Sequence, residues 1–382
     1  MAAQADIVAL APVALLDHGR PRDRGGDIPR RRTDGSLEVL HPRWVYPPLG
    51  GILNSFFLLF GILGPALGLR KRFDFQVIDA HFGYPEGVAC VLLGIVLRLP
   101  VVITLRGNET MHAHHWFRRR GMGWALRRAA RVIAVSGPLR EFALSLGVAE
   151  GHARVIPNGV DTNVFHPRDR AATRARLGLP ADRPVVVSAG YLIERKGHHR
   201  VVQALGRLRA SGQVAELWVV GGPGREGEFE QEILRHVSQL GMEGVVHCVG
   251  AVPPEALAGY MAAADVFCLA SSREGWPNVV HEALACGTPV VATDVGGVPE
   301  MIPSMRFGLV VPPGDPARLE AALGQALRTD WDRDAIAAWG KSRNWEQVAA
   351  EAVEQLQAAA DEWGERARGS LAGRRSSGQE RN

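Results

Sequence analysis

The sequence predicts an α/β fold of two successive parallel-sheet domains, and three observations carry that prediction. Short apolar, β-rich runs alternate with helical stretches from residue 75 to residue 311, the pattern of parallel strands joined by crossover helices. Glycine turns follow strand after strand in the second half, at Gly190, Gly221-Gly222, Gly250, Gly275 and Gly296-Gly297. Thirty residues, Ser271 to Glu300, read loop–helix–strand–loop–helix directly after a strand at Val266 to Ala270. A length of 382 residues suffices for two domains, and 46% apolar content lets each bury a core.

Taken in order, Asp6 to Ala14 is an apolar strand and the Arg- and Gly-rich stretch to Gly35 is loop. Leu37 to Val45 alternates as a strand does. Gly51 to Leu69 is uncharged and closed by Arg70, Lys71 and Arg72. A membrane span needs about 20 apolar residues, and three glycines and Pro65 interrupt this one. It is expected to be a helix, part core and part membrane-facing. Strands follow at Phe75–Phe82, Val101–Leu105, Val132–Ser136 and Ala153–Ile156. Helices at Pro85–Leu97 and Pro138–Leu146 separate them, with a basic, aromatic helix or pair around Trp116, Phe117 and Trp124. A linker is expected within His166 to Pro184, between a first domain over 1–170 and a second over 180–340.

The second series has strands at Val185–Ala189, Glu216–Val220, Val245–Val249, Val266–Ala270, Pro289–Thr293 and Gly308–Val311. Helices at His199–Ala210, Glu226–Leu240, Pro254–Ala263 and Pro277–Ala285 lie between them, with Pro277 at the first helical position. Helices at Pro316–Ala326, Arg333–Gly340 and Trp345–Glu365 complete the chain, and residues 366–382 are expected to be a disordered tail.

Net charge is only +4, but the cations cluster at Arg20, Arg22, Arg24 and Arg30 to Arg32, and at Arg118 to Arg120, Arg127, Arg128 and Arg131. These read equally as solvated faces or as a surface for an anionic acceptor or a membrane. Four scattered cysteines make neither a disulfide framework nor a zinc site and suit a reducing compartment. With no basic start followed by an apolar run, a cytoplasmic location is expected, with contact at the inner face of the cell membrane. Nucleic acid is not an expected partner.

Two helix N-termini and five glycine turns on one sheet edge favour a nucleotide or phosphate site. Arg195 and Lys196 stand at the same mouth, where cations can neutralise a diphosphate. Glu274 and Glu282 read as an acid/base pair, as surface charges, or as acceptors for sugar hydroxyls, and the last is preferred. His81 and Arg106 end two first-domain strands on the matching edge, and His81 reads equally as a core histidine. His112, His114 and His115 lack the companions of a metal site. Asp332-Arg333-Asp334 resembles a metal-binding Asp-x-Asp but lies where a helix start needs a cap.

EGWPNVVHEALACGTPVVATDVGGVPE resembles the glutamate-x7-glutamate signature of the family 4 retaining glycosyltransferases. AHFGYPEG at 80–87, TLRGNE at 104–109, VIAVS at 132–136, VIPNGVD at 155–161, GYLIERKG at 190–197 and VVGGPG at 219–224 support it in order. The resemblance implies the GT-B fold, two Rossmann-like domains facing a cleft. It implies a UDP- or GDP-sugar donor on the second domain and a glycan or lipid-linked acceptor on the first. The last helix would cross back to the first domain. No cofactor and no metal are implied, the nucleotide-diphosphate sugar being a co-substrate.

Carried over, Glu282 would bind the donor ribose, Glu274 would face the donor sugar, and Lys196 would meet the diphosphate, with amides from Trp276, Pro277, Asn278 and Val279 nearby. Gly190, Gly222, Val252 and Gly275 would complete the donor site. Lys196, Glu274, Arg106 and His81 are the catalytic candidates. The chain departs from the family at Tyr191, where an arginine is usual and which Arg195 would replace, and at Arg106, where histidine is common. The family's first strand, Gly-Gly loop and helix, roughly 30 to 40 residues, is expected to be absent from this chain. That keeps open a nucleotide-sugar-binding protein with impaired or no transferase activity, and a sugar-nucleotide epimerase on the same fold is a further alternative.

Overall fold

The computed structural model describes residues 5–15, 28–46, 51, 53–224 and 229–379, without the side chains of 367 and 369–379. The Arg20, Arg22 and Arg24 cluster lies outside the described residues. Internal contacts divide the chain into two units. Unit 1 is Met1–Pro157 with Ala349–Asn382, and unit 2 is Asn158–Val348. The division precedes the linker expected within His166 to Pro184.

Unit 1 opens with β1 (Val8–Leu10), β2 (Val13–Ala14), β3 (Arg31–Asp34), β4 (Leu37–Leu40) and β5 (Arg43–Trp44). The single strand expected over Asp6 to Ala14 is two short strands in different sheets, β1 parallel to β4 and β2 parallel to β5. The stretch read as loop to Gly35 holds a strand, because β3 pairs antiparallel with β4 through a tight turn at Gly35. Every β3 side chain is exposed, so no apolar alternation marked it.

Next come α1 (Asn54–Arg70), β6 (Ile78–His81), α2 (Val88–Leu97), β7 (Val101–Leu105), α3 (Glu109–His112), α4 (Trp116–Leu126), β8 (Arg131–Ala134), α5 (Gly137–Ser145) and β9 (Ala153–Val155). β6-β7-β8-β9 form one parallel sheet. All five β7 residues are buried, as a continuous apolar run in a doubly covered sheet requires.

Unit 2 contains α6 (Arg170–Leu177), β10 (Val185–Ala189), α7 (His198–Ala210), β11 (Glu216–Val220), α8 (Glu230–Gln239), β12 (Val246–Gly250) and α9 (Pro254–Ala263). It continues with β13 (Val266–Leu269), α10 (Asn278–Ala285), β14 (Val290–Thr293), α11 (Val298–Met301), β15 (Gly308–Val311), α12 (Pro316–Arg328) and α13 (Arg333–Gly340). α8 begins later than its expected Glu226, and 225–228 lie outside the described residues.

The six strands are parallel in the order β12-β11-β10-β13-β14-β15. Alternate residues of β10 face opposite cores. Val185 and Val187 pack with α9, α10 and α13, while Val186 packs with α7, α8 and α12.

The last helix, α14 (Trp345–Gln379), begins in unit 2 and belongs to unit 1 from Ala349 onward. Glu362 on α14 pairs with Arg131, and Trp363 Nε1 donates to the Arg98 carbonyl at 3.1 Å. The tail expected to be disordered from 366 is helical through Gln379, and 380–382 lie outside the described residues.

Candidate functional site

Connection direction reverses between β10 and β13 in unit 2, from neighbours added on one side to neighbours added on the other. Open parallel sheets bind ligands outside the strand C-termini at such a switch point, because the two loops there part instead of crossing. The loops leaving β10 (Gly190 to Gly197) and β13 (Ser271 to Pro277) therefore start side by side. A backbone bond from Ser272 N–H to the Arg195 carbonyl, 2.9 Å, ties them together. Gly197 is required: its φ is +74°, and a Cβ would stand 2.0 Å from the Ala270 carbonyl oxygen.

This closeness assembles the charged centre. Glu274 is buried, with 8% of its side chain exposed, and accepts from Lys196 Nζ at 2.7 Å and Ser271 Oγ at 2.8 Å. Arg195 Nη1 is 3.4 Å from its other oxygen and donates to the Arg273 carbonyl at 3.0 Å. One carboxylate between two cations leaves the mouth net positive, the condition for holding an anion. A recess of about 210 Å³ adjoins it, lined by Ile193, Glu194, Arg195, Ser272 and Arg273.

α10 starts immediately beyond. Pro277 is the cap residue preceding the helix rather than its first helical residue, and the exposed Asn278 follows with its Oδ1 accepting from Asn158 at 3.0 Å. Gly275 donates no bulk: its carbonyl accepts from Gly297 N–H at 2.8 Å. A Cβ at Gly297 would meet the Trp276 ring at 2.3 Å, so the Gly-Gly turn lies directly against the Glu274 loop. Val279 packs on the core behind. Glu282 lies one turn deeper on α10, and burial pushes its carboxyl up to about 7. Gly190 donates to the Val220 carbonyl at 3.0 Å, and the Gly222 carbonyl accepts from Leu192 at 2.8 Å, which sets both on the same sheet edge. Val252 follows β12 on that edge, packed on the core and two strands from β10.

In unit 1, His81 and Arg106 end the neighbouring strands β6 and β7. His81 is half exposed, which removes the core-histidine reading. Arg106 Nε donates to His81 Nδ1 at 3.0 Å, so Nε2 carries the ring hydrogen and meets Asp79 at 3.2 Å. Both ring nitrogens are engaged, and the imidazole orients the guanidinium. Buried Glu109 accepts from the N–H groups of Gly83 (3.1 Å), Arg106 (3.2 Å) and Gly107 (2.6 Å), and so clasps the loops after β6 and β7.

The structure therefore joins Lys196, Arg195 and Glu274 in one cluster, and His81 and Arg106 in another. Sequence reasoning missed Ser271, Asp79 and Glu109. Asp79 had a usable signal, lying two residues before His81 on the same strand face. The Asp332 side chain accepts from Ala335 N–H at 2.9 Å as a helix cap. Among the described residues no group of three or more His, Cys, Asp or Glu side chains is placed to hold a metal ion. Arg118, Arg127, Arg128 and Arg131 have structural partners: the Tyr84 ring, the Leu146 carbonyl, the Trp124 ring and Glu362.

Comparison with known proteins follows the same division. The family described as glycosyl transferases group 1 matches residues 169–343, and that described as glycosyltransferase family 4 matches residues 19–164. A D-inositol 3-phosphate glycosyltransferase of Nocardioides is 36% identical over 217 residues, covering 52% of this chain and 47% of that protein. A putative teichuronic acid biosynthesis glycosyltransferase of Bacillus subtilis is 32% identical over 252 residues, covering 64% and 60%. The chain thus spans about half the length of the curated relatives it matches. Among solved structures, sucrose-phosphate synthase from Thermosynechococcus elongatus aligns with a TM-score of 0.68 at 25% identity, covering 91% of this chain and 87% of that one. Anabaena HepE, solved with UDP and glucose, aligns with a TM-score of 0.70 at 23% identity, covering 84% and 86%.

Proposed function

The chain belongs to the family 4, group 1 glycosyltransferases and has their GT-B fold; on that premise we propose that it moves a sugar from a UDP- or GDP-sugar to a glycan or lipid-linked acceptor with retention of configuration. The observation that carries this reading is the Lys196–Glu274–Arg195 cluster at the switch point beside the start of α10. That HepE is solved with UDP and with UDP-glucose supports a nucleotide-sugar donor.

Each group has a part. Lys196 and Arg195 turn from Glu274 toward the diphosphate, whose charge also meets the positive, N-terminal end of α10. Glu282 accepts from the ribose hydroxyls. Glu274 accepts from hydroxyls of the transferred sugar. The acceptor oxygen attacks the anomeric carbon on the face the diphosphate leaves. One C–O bond forms as the other breaks, and a diphosphate oxygen takes the acceptor proton. No protein nucleophile is consumed, so Glu274, still held by Ser271 Oγ, serves only to position the sugar. Arg106, steered by His81 and Asp79, binds the acceptor or its developing charge.

The test is incubation with nucleotide sugars and candidate acceptors, followed by proton NMR of the anomeric signal. A glycoside with the donor's own anomeric configuration supports the proposal. An inverted glycoside contradicts the mechanism, and an epimerised sugar nucleotide formed without acceptor contradicts the transfer.

A further inference from the structure

Helix α1 buries one side and leaves an apolar stripe on the other. Leu58, Ile62 and Ala66 pack with Ala89 and Leu93 of α2. On the opposite face Leu53, Phe56, Phe60 and Leu67 are exposed, Phe60 to 72%. Their spacing puts them in one line roughly 21 Å long at 1.5 Å per residue. A helix apolar on every side belongs against something other than water. Among the described residues no helix is long and apolar enough to cross a membrane, so this stripe calls for a surface on which to lie.

Charge says which surface. At the C-terminal end of α1, two basic runs far apart in sequence meet: Arg31 and Arg72 both pair with Glu38, at 3.1 and 2.8 Å. Arg30, Arg32, Arg70 and Lys71 adjoin them, and among the described residues these six cations face three carboxylates, Asp34, Glu38 and Asp74. At the other end Gly51 abuts the Arg118 guanidinium, beside exposed Arg119 and Arg120 and a Trp116 that is 71% exposed. A Phe/Leu stripe bounded at both ends by cations, with a tryptophan at one of them, is complementary to an anionic bilayer surface.

We propose that α1 docks unit 1 on an anionic lipid membrane, with Leu53, Phe56, Phe60 and Leu67 entering the acyl boundary and the terminal cations meeting headgroups. This surface stands independently of the donor site. The test is co-sedimentation of the full chain with phosphatidylglycerol/phosphatidylcholine vesicles and with phosphatidylcholine vesicles alone. Partition is expected to favour the anionic vesicles and to fall with added salt. Phe56→Ser with Phe60→Ser is expected to weaken it at least about tenfold. Both positions are exposed, and an unchanged circular dichroism spectrum together with unchanged nucleotide-sugar binding shows the variant folded. The proposal is overturned by no partition to either vesicle, or by equal partition of wild type and variant. It is also overturned by a wild-type dimer in light scattering that the variant converts to monomer, since a second copy would then cover the stripe.

Discussion

At the scale of single residues, Glu274 shows why a carboxylate is needed among cations. Lys196 and Arg195 are largely buried neighbours on one loop, and without Glu274 on the other loop their charges would lose their shared counter-charge. Glu274→Ala is expected to cost about 2–3 kcal/mol of stability in urea unfolding, because it strands two desolvated charges. Glu274→Gln is expected to recover only part of that stability, since its amide oxygen can still accept from Lys196 or Ser271 while the counter-charge is lost, and to lose transfer. Glu282 poses the opposite problem, a carboxyl that burial raises from 4.5 to about 7. Between those values the folded chain holds a proton that the unfolded chain has released, so this group's contribution to stability falls as pH rises through that window. Glu282→Gln should therefore match wild type near pH 4 and exceed it by on the order of 1–3 kcal/mol above pH 8, read as the difference between two pH series of urea melts. Both glutamates stood out in the sequence by their spacing around the start of α10. Ser271 was not, since a serine after a strand has many uses, and only the folded loop aims its hydroxyl at Glu274.

At the scale of elements, the β13–α10–β14 segment was readable because its punctuation is chemical. Cys286-Gly287 ends α10, with Gly287 at φ +76°, and Val290 to Thr293 is fully buried. The assignment failed by one residue at Pro277, which caps α10 instead of starting it. It failed outright at β3, whose exposed Arg-Arg-Thr-Asp sequence carries no apolar alternation, and at the end of α14, where a polar composition gave no sign of helix. The Gly-Gly turn offers a test of how far packing governs the site. Gly297 has an ordinary φ, so Gly297→Ala acts through the clash with the Trp276 ring, with the Gly275 carbonyl oxygen close behind at 3.3 Å. It is expected to cost about 1–3 kcal/mol and to weaken nucleotide-sugar binding in calorimetry by displacing the Glu274 loop.

For the whole molecule, the alternation of strands and helices was enough to announce two parallel-sheet units. It could not say which strands are neighbours, and the site depends on that: β10 and β13 are adjacent although β11 and β12 lie between them in sequence. α14 belongs to this scale too. In unit 1 it helps line a groove of about 550 Å³ with Val91, Leu99 and Val148, held by Arg131 and Glu362. Removing residues 345–379 is expected to lower the melting temperature by at least about 5 °C and to reduce hydrogen-exchange protection in β6 to β9. The central claim is that the switch point in unit 2 holds a nucleoside diphosphate sugar between Lys196 and Glu282. Calorimetric titration of UDP, GDP and their sugar conjugates into wild type and Glu282→Ala tests it most directly. One nucleoside diphosphate series is predicted to bind wild type and to lose binding in the variant, whereas no binding by any of them, or equal affinity for both proteins, would contradict the account.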